Sequence, residues 1–221
     1  MDIKEAIEKR HSVRQYLDKE LTKEDKEKLT DIIDKINKEQ DLNFQLITDD
    51  PKTFDVFFAH YGNFKNVKNY IALVGKKTEN LDERCGYYGQ EIVLEAQMMG
   101  LNTCWMAGTY SKGNCRARIA DNEKLVCVIA IGYGETSGTE RRTKPVGKLC
   151  DVKEEDMPEW FKEGVKAAQK APTAINQQKF KISLDKETNE AVITAKKAAM
   201  AKIDLGIVKY NFEMASGKKT R

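Results

Sequence analysis

Phe180-Lys181-Ile182-Ser183-Leu184 and Ala191-Val192-Ile193-Thr194-Ala195 flank the turn-rich stretch Lys186-Glu187-Thr188-Asn189-Glu190. The first arm alternates apolar and polar residues and the second is rich in β-branched ones, so the pair reads as two strands of a hairpin. A hairpin pairs antiparallel, which argues against a sheet wound only from alternating parallel strands and helices. Working outward from it, the chain reads as α+β, with a mixed, mostly antiparallel sheet flanked by helices.

Leu125-Val126-Cys127-Val128-Ile129-Ala130-Ile131-Gly132 is the strongest strand signal in the chain. The nearly continuous apolar run Tyr70-Ile71-Ala72-Leu73-Val74 suits a central strand covered on both faces. Phe44-Gln45-Leu46-Ile47-Thr48 reads as a further strand and residues 101–106 as a short extended piece. A first helix is expected after Asp2 as N-cap, with Ile3, Ala6 and Ile7 on one face. Arg10 and Arg14 continue that line at helical spacing, so one helix would deliver both guanidinium groups to one spot. Thr22-Lys23-Glu24-Asp25 resembles a capping box that opens a helix with the stripe Leu29, Ile32, Ile33 and Ile36. Further helices are expected over residues 54–60, 86–99 with Gly100 as stop, 111–120, 157–170 with Trp160, Phe161, Val165 and Ala168 inward, and 198–216 with Gly217 as stop.

Composition narrows the function classes. The chain has 221 residues, 38 Lys+Arg against 35 Asp+Glu, 33% charged and 40% hydrophobic residues. That suits one globular domain, 1–221, read as a core over 1–150 and a C-terminal extension over 151–221. No run approaches the ~20 apolar residues of a membrane span, and Met1-Asp2-Ile3-Lys4-Glu5 is too charged for a signal peptide, so a cytoplasmic protein without a membrane partner is expected. Cys85, Cys104, Cys115, Cys127 and Cys150 form no CxxC pair and have only His11 and His60 to assist them, which argues against a metal site or a disulfide scaffold. Residues 162–221 carry a net +7 and the remainder −4, but the basic tail lacks the aromatic interleaving of single-strand binders, so no nucleic-acid partner is expected.

Three constellations could carry chemistry. Arg10-His11-Ser12-Val13-Arg14 offers two guanidinium forks and a hydroxyl, a set that suits a phosphate; it equally suits a charged helix face ending in a polar turn. Ala171-Pro172-Thr173-Ala174-Ile175-Asn176-Gln177-Gln178 offers neutral donors and acceptors that could read the edge of a planar, amide-bearing ring, or simply form a polar turn. Arg141-Arg142-Thr143-Lys144-Pro145 could add charge to the same phosphate or be a solvated loop. There is no GxGxxG after a strand and no GxxxxGK[ST]. His60 has no partner marked by spacing, so no protein-borne acid–base set stands out and an enzyme would rely on a cofactor.

Taken in order, these segments resemble the nitroreductase family of flavoproteins. Arg10-His11-Ser12-Val13-Arg14 is similar to the family's R-x-S-x-R/K phosphate motif, and GQEIVLEAQMMGLNTCWMAG over residues 89–108 is similar to its central helix and G-L-x-T-C-W run. VIAIGYGE over 128–135 resembles the strand and turn that follow, Arg142-Thr143-Lys144-Pro145 the late basic residues, and residues 171–178 the A-P-S-x-x-N-x-Q motif that lines the flavin ring. That last motif usually follows the second helix. Here Lys38-Glu39-Gln40-Asp41-Leu42-Asn43 stands in that place. The chain thus resembles a divergent branch with the motif relocated and a closing helix of Asp-x-Gly-Ile type, matched by Asp204-Leu205-Gly206-Ile207.

The resemblance implies a nitroreductase-like fold and an FMN-dependent oxidoreductase. NADH or NADPH would act as co-substrate and an electron-poor small molecule such as a nitroaromatic or quinone as acceptor. Arg10, His11, Ser12, Arg14, Arg142 and Lys144 would serve the FMN phosphate, and Pro172, Thr173, Ala174, Asn176 and Gln178 the ring. The backbone at Ala107 and Gly108 would approach N5, where the flavin itself does the chemistry. It further implies a homodimer, with the relocated loop serving the flavin of its own subunit or of its partner. A flavin-binding sensor or store that does not turn over is the alternative, distinguished by a yellow protein inert to both nicotinamides.

Overall fold

The computed structural model describes residues 1–55 and 63–221. They divide into two compact units. Residues 10–81 and 95–140 form one; residues 1–9, 82–94 and 141–221 form the other.

The first unit is built on a four-stranded sheet, ordered β1 (Gln45–Ile47), β2 (Tyr70–Lys76), β4 (Glu123–Gly132) and β3 (Asn102–Met106), with every neighbouring pair antiparallel. The two most apolar runs take the centre, as their composition demands, because a strand buried on both faces tolerates few polar side chains. Tyr70 through Gly75 are buried, as are the last six residues of β4. Tyr70 lies opposite Ala130 and Ala72 opposite Val128; the register then slips between Leu73 and Val74, where a bulge re-aims the strand. One sheet face packs Tyr70, Ala72, Val128, Ala130 and Cys104 against Val13 and Tyr16. Helix α2 (Lys23–Gln40) starts as expected, with Thr22 Oγ1 accepting from the Asp25 amide at 3.1 Å, and it buries Leu29, Ile33 and Ile36. At its other end Asn37 exchanges two bonds with the Phe44 backbone, at 2.9 and 2.8 Å, which leads the chain into β1.

Two helices expected from periodicity do not form as such. Helix α1 (Ile3–Lys9) is capped by Asp2, whose Oδ1 accepts from the Glu5 amide at 2.9 Å, but it ends one residue before Arg10. Beyond it the chain is extended: the Val13 amide donates to the Thr103 carbonyl of β3 at 3.0 Å, and Tyr16 and Arg14 exchange backbone bonds with Lys65 at 3.0 Å each. A sheet edge offers these amides partners that a further helical turn would have to forgo, and β-branched Val13 suits the extended form. Residues 111–120 make a single turn instead of a helix. Their amides are claimed elsewhere, Ser111 by the Thr53 carbonyl at 2.8 Å, Arg116 by the Tyr70 hydroxyl at 3.1 Å and Arg118 by Gln45 Oε1 at 2.8 Å. Phe54 closes a short 3-10 turn (Pro51–Phe54), and the rest of the expected 54–60 helix, with His60, lies past Asp55 outside the described residues.

The second unit holds α1, residues 82–94 of helix α3 (Leu81–Met98), helices α4 (Glu159–Gln169) and α5 (Ala201–Ser216), and the hairpin of β5 (Phe180–Asp185) and β6 (Glu190–Ala195). The hairpin pairs Phe180 with Ala195 and Ile182 with Ile193, as the alternation predicts. Helix α3 begins five residues ahead of Gly86, its first turn carrying Asp82 and Glu83 where the helix dipole favours acids. Helix α5 begins at Ala201, behind Met200 at φ 59°, and ends at Gly217 at φ 69°. Helices α4 and α5 pack through Phe161 and Phe212, edge to face at 5.7 Å. Helices α3 and α5 meet backbone to backbone: a methyl group on Gly86 would overlap the Ile203 carbonyl oxygen, and one on Gly206 the Glu83 carbonyl oxygen. Beside this crossing, Gln90 donates to Asn211 at 2.9 Å and Asn211 to the Ala167 carbonyl at 3.1 Å. Among the described residues, no helix is long and apolar enough to cross a membrane.

Candidate functional site

The extended segment after α1 sets Arg10, Ser12 and Arg14 at alternate positions along a strand edge and not on a helix face, all three acting on one neighbour. Their common neighbour is Cys104 on β3. Burial pushes its thiol up, while the charges of Arg14 and Arg10 and a hydrogen bond from Ser12 pull it back. Arg10 is only 2% exposed, whereas Arg14 is open to solvent with its guanidinium 5.9 Å from the Phe64 ring centre. The loop after β4 closes the other side. The Ser137 carbonyl lies 3.2 Å from His11 Nδ1, and Gly138, at φ 80°, packs so close that a Cβ would lie 2.8 Å from that of His11. Between these segments runs an open cleft of about 310 Å³, lined by Ser12, Arg14, Gln15, Asn63, Thr136 and Thr139. Ala107 and Gly108 follow the end of β3, and the space where Gly108 would carry a side chain is empty.

In the second unit, the basic loop and the 171–178 loop are knitted together. Lys144 Nζ donates to the carbonyls of Gln177 and Gln178 at 2.6 and 3.1 Å, and its amide donates to Gln178 Oε1 at 2.8 Å. The amide side chains of Asn176 and Gln178 both donate to the Arg142 carbonyl, at 2.9 and 3.1 Å, and Gln178 also donates to Asn176 Oδ1 at 3.0 Å. Thr173 Oγ1 accepts from the Gln178 amide at 3.0 Å, Pro172 is buried, and the Ala174 amide donates to Asp204 Oδ1 at 2.9 Å. Lys144 is therefore a clamp for the loop, while the Arg142 side chain faces solvent. Next to it Arg141 is held by its surroundings at a lowered pKa, about 10, because burial outweighs the attraction of Glu8.

The sequence singled out the Arg10–Arg14 segment beside the cleft and the 171–178 loop, but not Thr136 and Thr139 in the cleft or the bond of Asp204 to the loop. The two threonines had a signal, a glycine-rich loop leaving the strongest strand. Asp204 stood out only as the first residue of the Asp-x-Gly-Ile ending, and nothing near it pointed to the loop, since its partners lie about 30 residues earlier in the chain.

A family model described as "Putative TM nitroreductase" matches residues 2–216. The chain belongs to this nitroreductase family. Solved structures bear out the nitroreductase fold. A protein from Thermotoga maritima, described as a "putative nitroreductase", is 24% identical with a TM-score of 0.71, over 97% of this chain and 83% of that one. A nitroreductase family protein from Clostridium difficile is 18% identical with a TM-score of 0.52, over 71% and 100% of the two chains. The Clostridium acetobutylicum protein described as a "putative NADH oxidase" is 23% identical with a TM-score of 0.50, over 65% and 96%. No curated protein gives a significant match. Within this nitroreductase fold, the sheet unit carries the Arg10–Arg14 segment and the helical unit the 171–178 loop.

Proposed function

We propose that the chain is an FMN-dependent oxidoreductase that passes hydride from NADH or NADPH to an electron-poor small molecule, a nitroaromatic or quinone. One observation carries the reading: in a nitroreductase-family chain, Ser12 and exposed Arg14 line a polar cleft while the charge of buried Arg10 is felt beside it at Cys104, a donor set suited to a phosphate monoester. Residues 171–178 suit a flavin ring by their chemistry: half-buried Thr173 and exposed Asn176 supply neutral, directional donors and acceptors and no charge, while buried Gln178, bonded to Lys144, Arg142 and Asn176, holds the shape of the loop. Bound FMN supplies hydride acceptance and release at N5.

The chain's own residues do the binding and orienting. Arg14 meets the phosphate from solvent while buried Arg10 supplies fixed positive charge behind it, and Ser12 adds a neutral donor. Gly108, without a side chain, leaves room for close approach to the backbone after β3. Residues 151–221 work as the extension of a single domain, and the protein works as a homodimer. The test is the absorption spectrum of the purified protein: FMN bands that bleach anaerobically on adding NADH or NADPH are expected. A colourless protein that takes up no FMN refutes the reading, and a flavin-loaded one inert to both nicotinamides refutes its catalytic half.

Two variants refine it. Asn176→Ala should weaken FMN binding by about 1–3 kcal/mol, the usual cost of leaving a polar partner unpaired, read by titration of the apo-protein. Cys104 is buried and its thiol is pushed up by that burial, conditions that make a thiol inert. Cys104→Ala should therefore keep its flavin and its rate of reduction by NAD(P)H, with at most a lower melting temperature; a folded, loaded variant that is not reduced would give Cys104 a redox role.

A further inference from the structure

Asp204 lies in the first turn of α5 and is 5% exposed, and among the described residues no cation pairs with it. Both of its oxygens are turned to one loop. Oδ1 accepts from the Ala174 amide at 2.9 Å and Oδ2 from Gln177 Nε2 at 2.7 Å, while the same Nε2 reaches the Ala199 carbonyl at 2.8 Å. The loop so held is strained. Ile175, Asn176 and Gln178 have φ of 47°, 54° and 46°, the left-handed region that a β-branched residue such as Ile175 enters only at a cost. Ile175 recovers nothing by packing, because it is 96% exposed. A segment with three such residues relaxes unless its surroundings hold it, and local strain of this kind gathers at ligand clamps.

We infer that Asp204 is a positioning residue for flavin recognition: its carboxylate holds residues 173–178 in the strained shape that presents Ile175 and Asn176 to the ring. The inference rests on the FMN reading above. A carboxylate buried without a cation is costly to the fold, and here burial raises its pKa despite the bonds from Gln177 and Ala174. Its place here is then explained by what it holds, and a neutral amide in its place should suit the fold at least as well. In Asp204→Asn the new amide still accepts from Ala174, but its NH₂ group faces the Gln177 amide, which must turn over and release Ala199.

The test compares wild type, Asp204→Asn and Asp204→Ala as apo-proteins titrated with FMN and with riboflavin, alongside the visible spectrum of the bound flavin and the melting temperature. Asp204→Asn is expected to melt at or above wild type, to bind FMN and riboflavin at least ten-fold more weakly by the same factor, and to shift the bound spectrum toward free flavin. Riboflavin has no phosphate, so equal losses locate the defect at the ring. Wild-type affinity and spectrum in Asp204→Asn overturn the inference, and so does a loss confined to FMN or a loss accompanied by a lower melting temperature. If the alanine variant does not fold, the near-isosteric asparagine variant decides. A wild type that binds neither flavin refutes the FMN reading and this inference together, whereas a wild type that binds both with an indifferent Asp204→Asn refutes the inference alone.

Discussion

Replacing Arg10 and Arg14 together with alanine will strip FMN from the protein. Each charge-assisted contact to a phosphate contributes about 1.5–3 kcal/mol, so losing two lowers affinity by a factor of roughly 10²–10⁴. The two residues are not equivalent. Arg10 is inside the fold, and its removal also leaves a hole beside Cys104, while Arg14 is solvent-exposed and its truncation leaves packing intact. Arg14→Ala alone should therefore cost about ten-fold or more in FMN affinity with an unchanged melting temperature. Arg14→Lys should recover only part of it, because lysine keeps the charge and loses the planar fork. Riboflavin affinity should not respond to either Arg14 variant. Undiminished FMN binding in the double variant would remove the phosphate assignment from this segment.

The same pair of arginines shows what could be read from sequence and what could not. Residue types offered them either as phosphate donors or as a charged helix face, and the family resemblance favoured the first. The spacing argument placed them on a helix, and that failed because the partners of Val13 and Tyr16, Thr103 and Lys65, are distant in sequence and claim the backbone for a sheet edge. Residues 111–120 failed for a related reason: their amides are taken by Thr53, Tyr70 and Gln45, none of which local periodicity can report. Where burial is decided within the element, reading succeeded. The continuous apolar runs at 70–74 and 125–132 became the two central strands, and the alternation at 180–184 and 191–195 became the hairpin. The clamp on the 171–178 loop lay out of reach because Lys144 and Asp204 act on it from both sides in sequence, one through its ammonium and the other through its carboxylate.

Gly206→Ala will unfold the protein more readily than any surface change. Position 206 faces the backbone of α3, where a Cβ would overlap the Glu83 carbonyl oxygen and lie 2.6 Å from the Tyr87 amide nitrogen. A flexible side chain could move aside, but a helix backbone cannot without shifting the whole crossing. In an exposed helix, alanine in place of glycine would stabilise by up to about 1 kcal/mol. Here overpacking reverses the sign, with a cost of about 3 kcal/mol, the upper part of the range for a packed core, and a fall in melting temperature of roughly 6–12 °C for a chain of this size. Gly86 makes the reciprocal contact with the Ile203 carbonyl oxygen, so both glycines serve one crossing. Once one alanine has pushed α3 and α5 apart, the second meets less resistance, and the double variant should lose less than the sum of the single losses. Thermal melts of the four proteins measure this directly. Strict additivity would mean that the two contacts yield independently, and an unchanged melting temperature in Gly206→Ala would mean that the helices do not meet backbone to backbone.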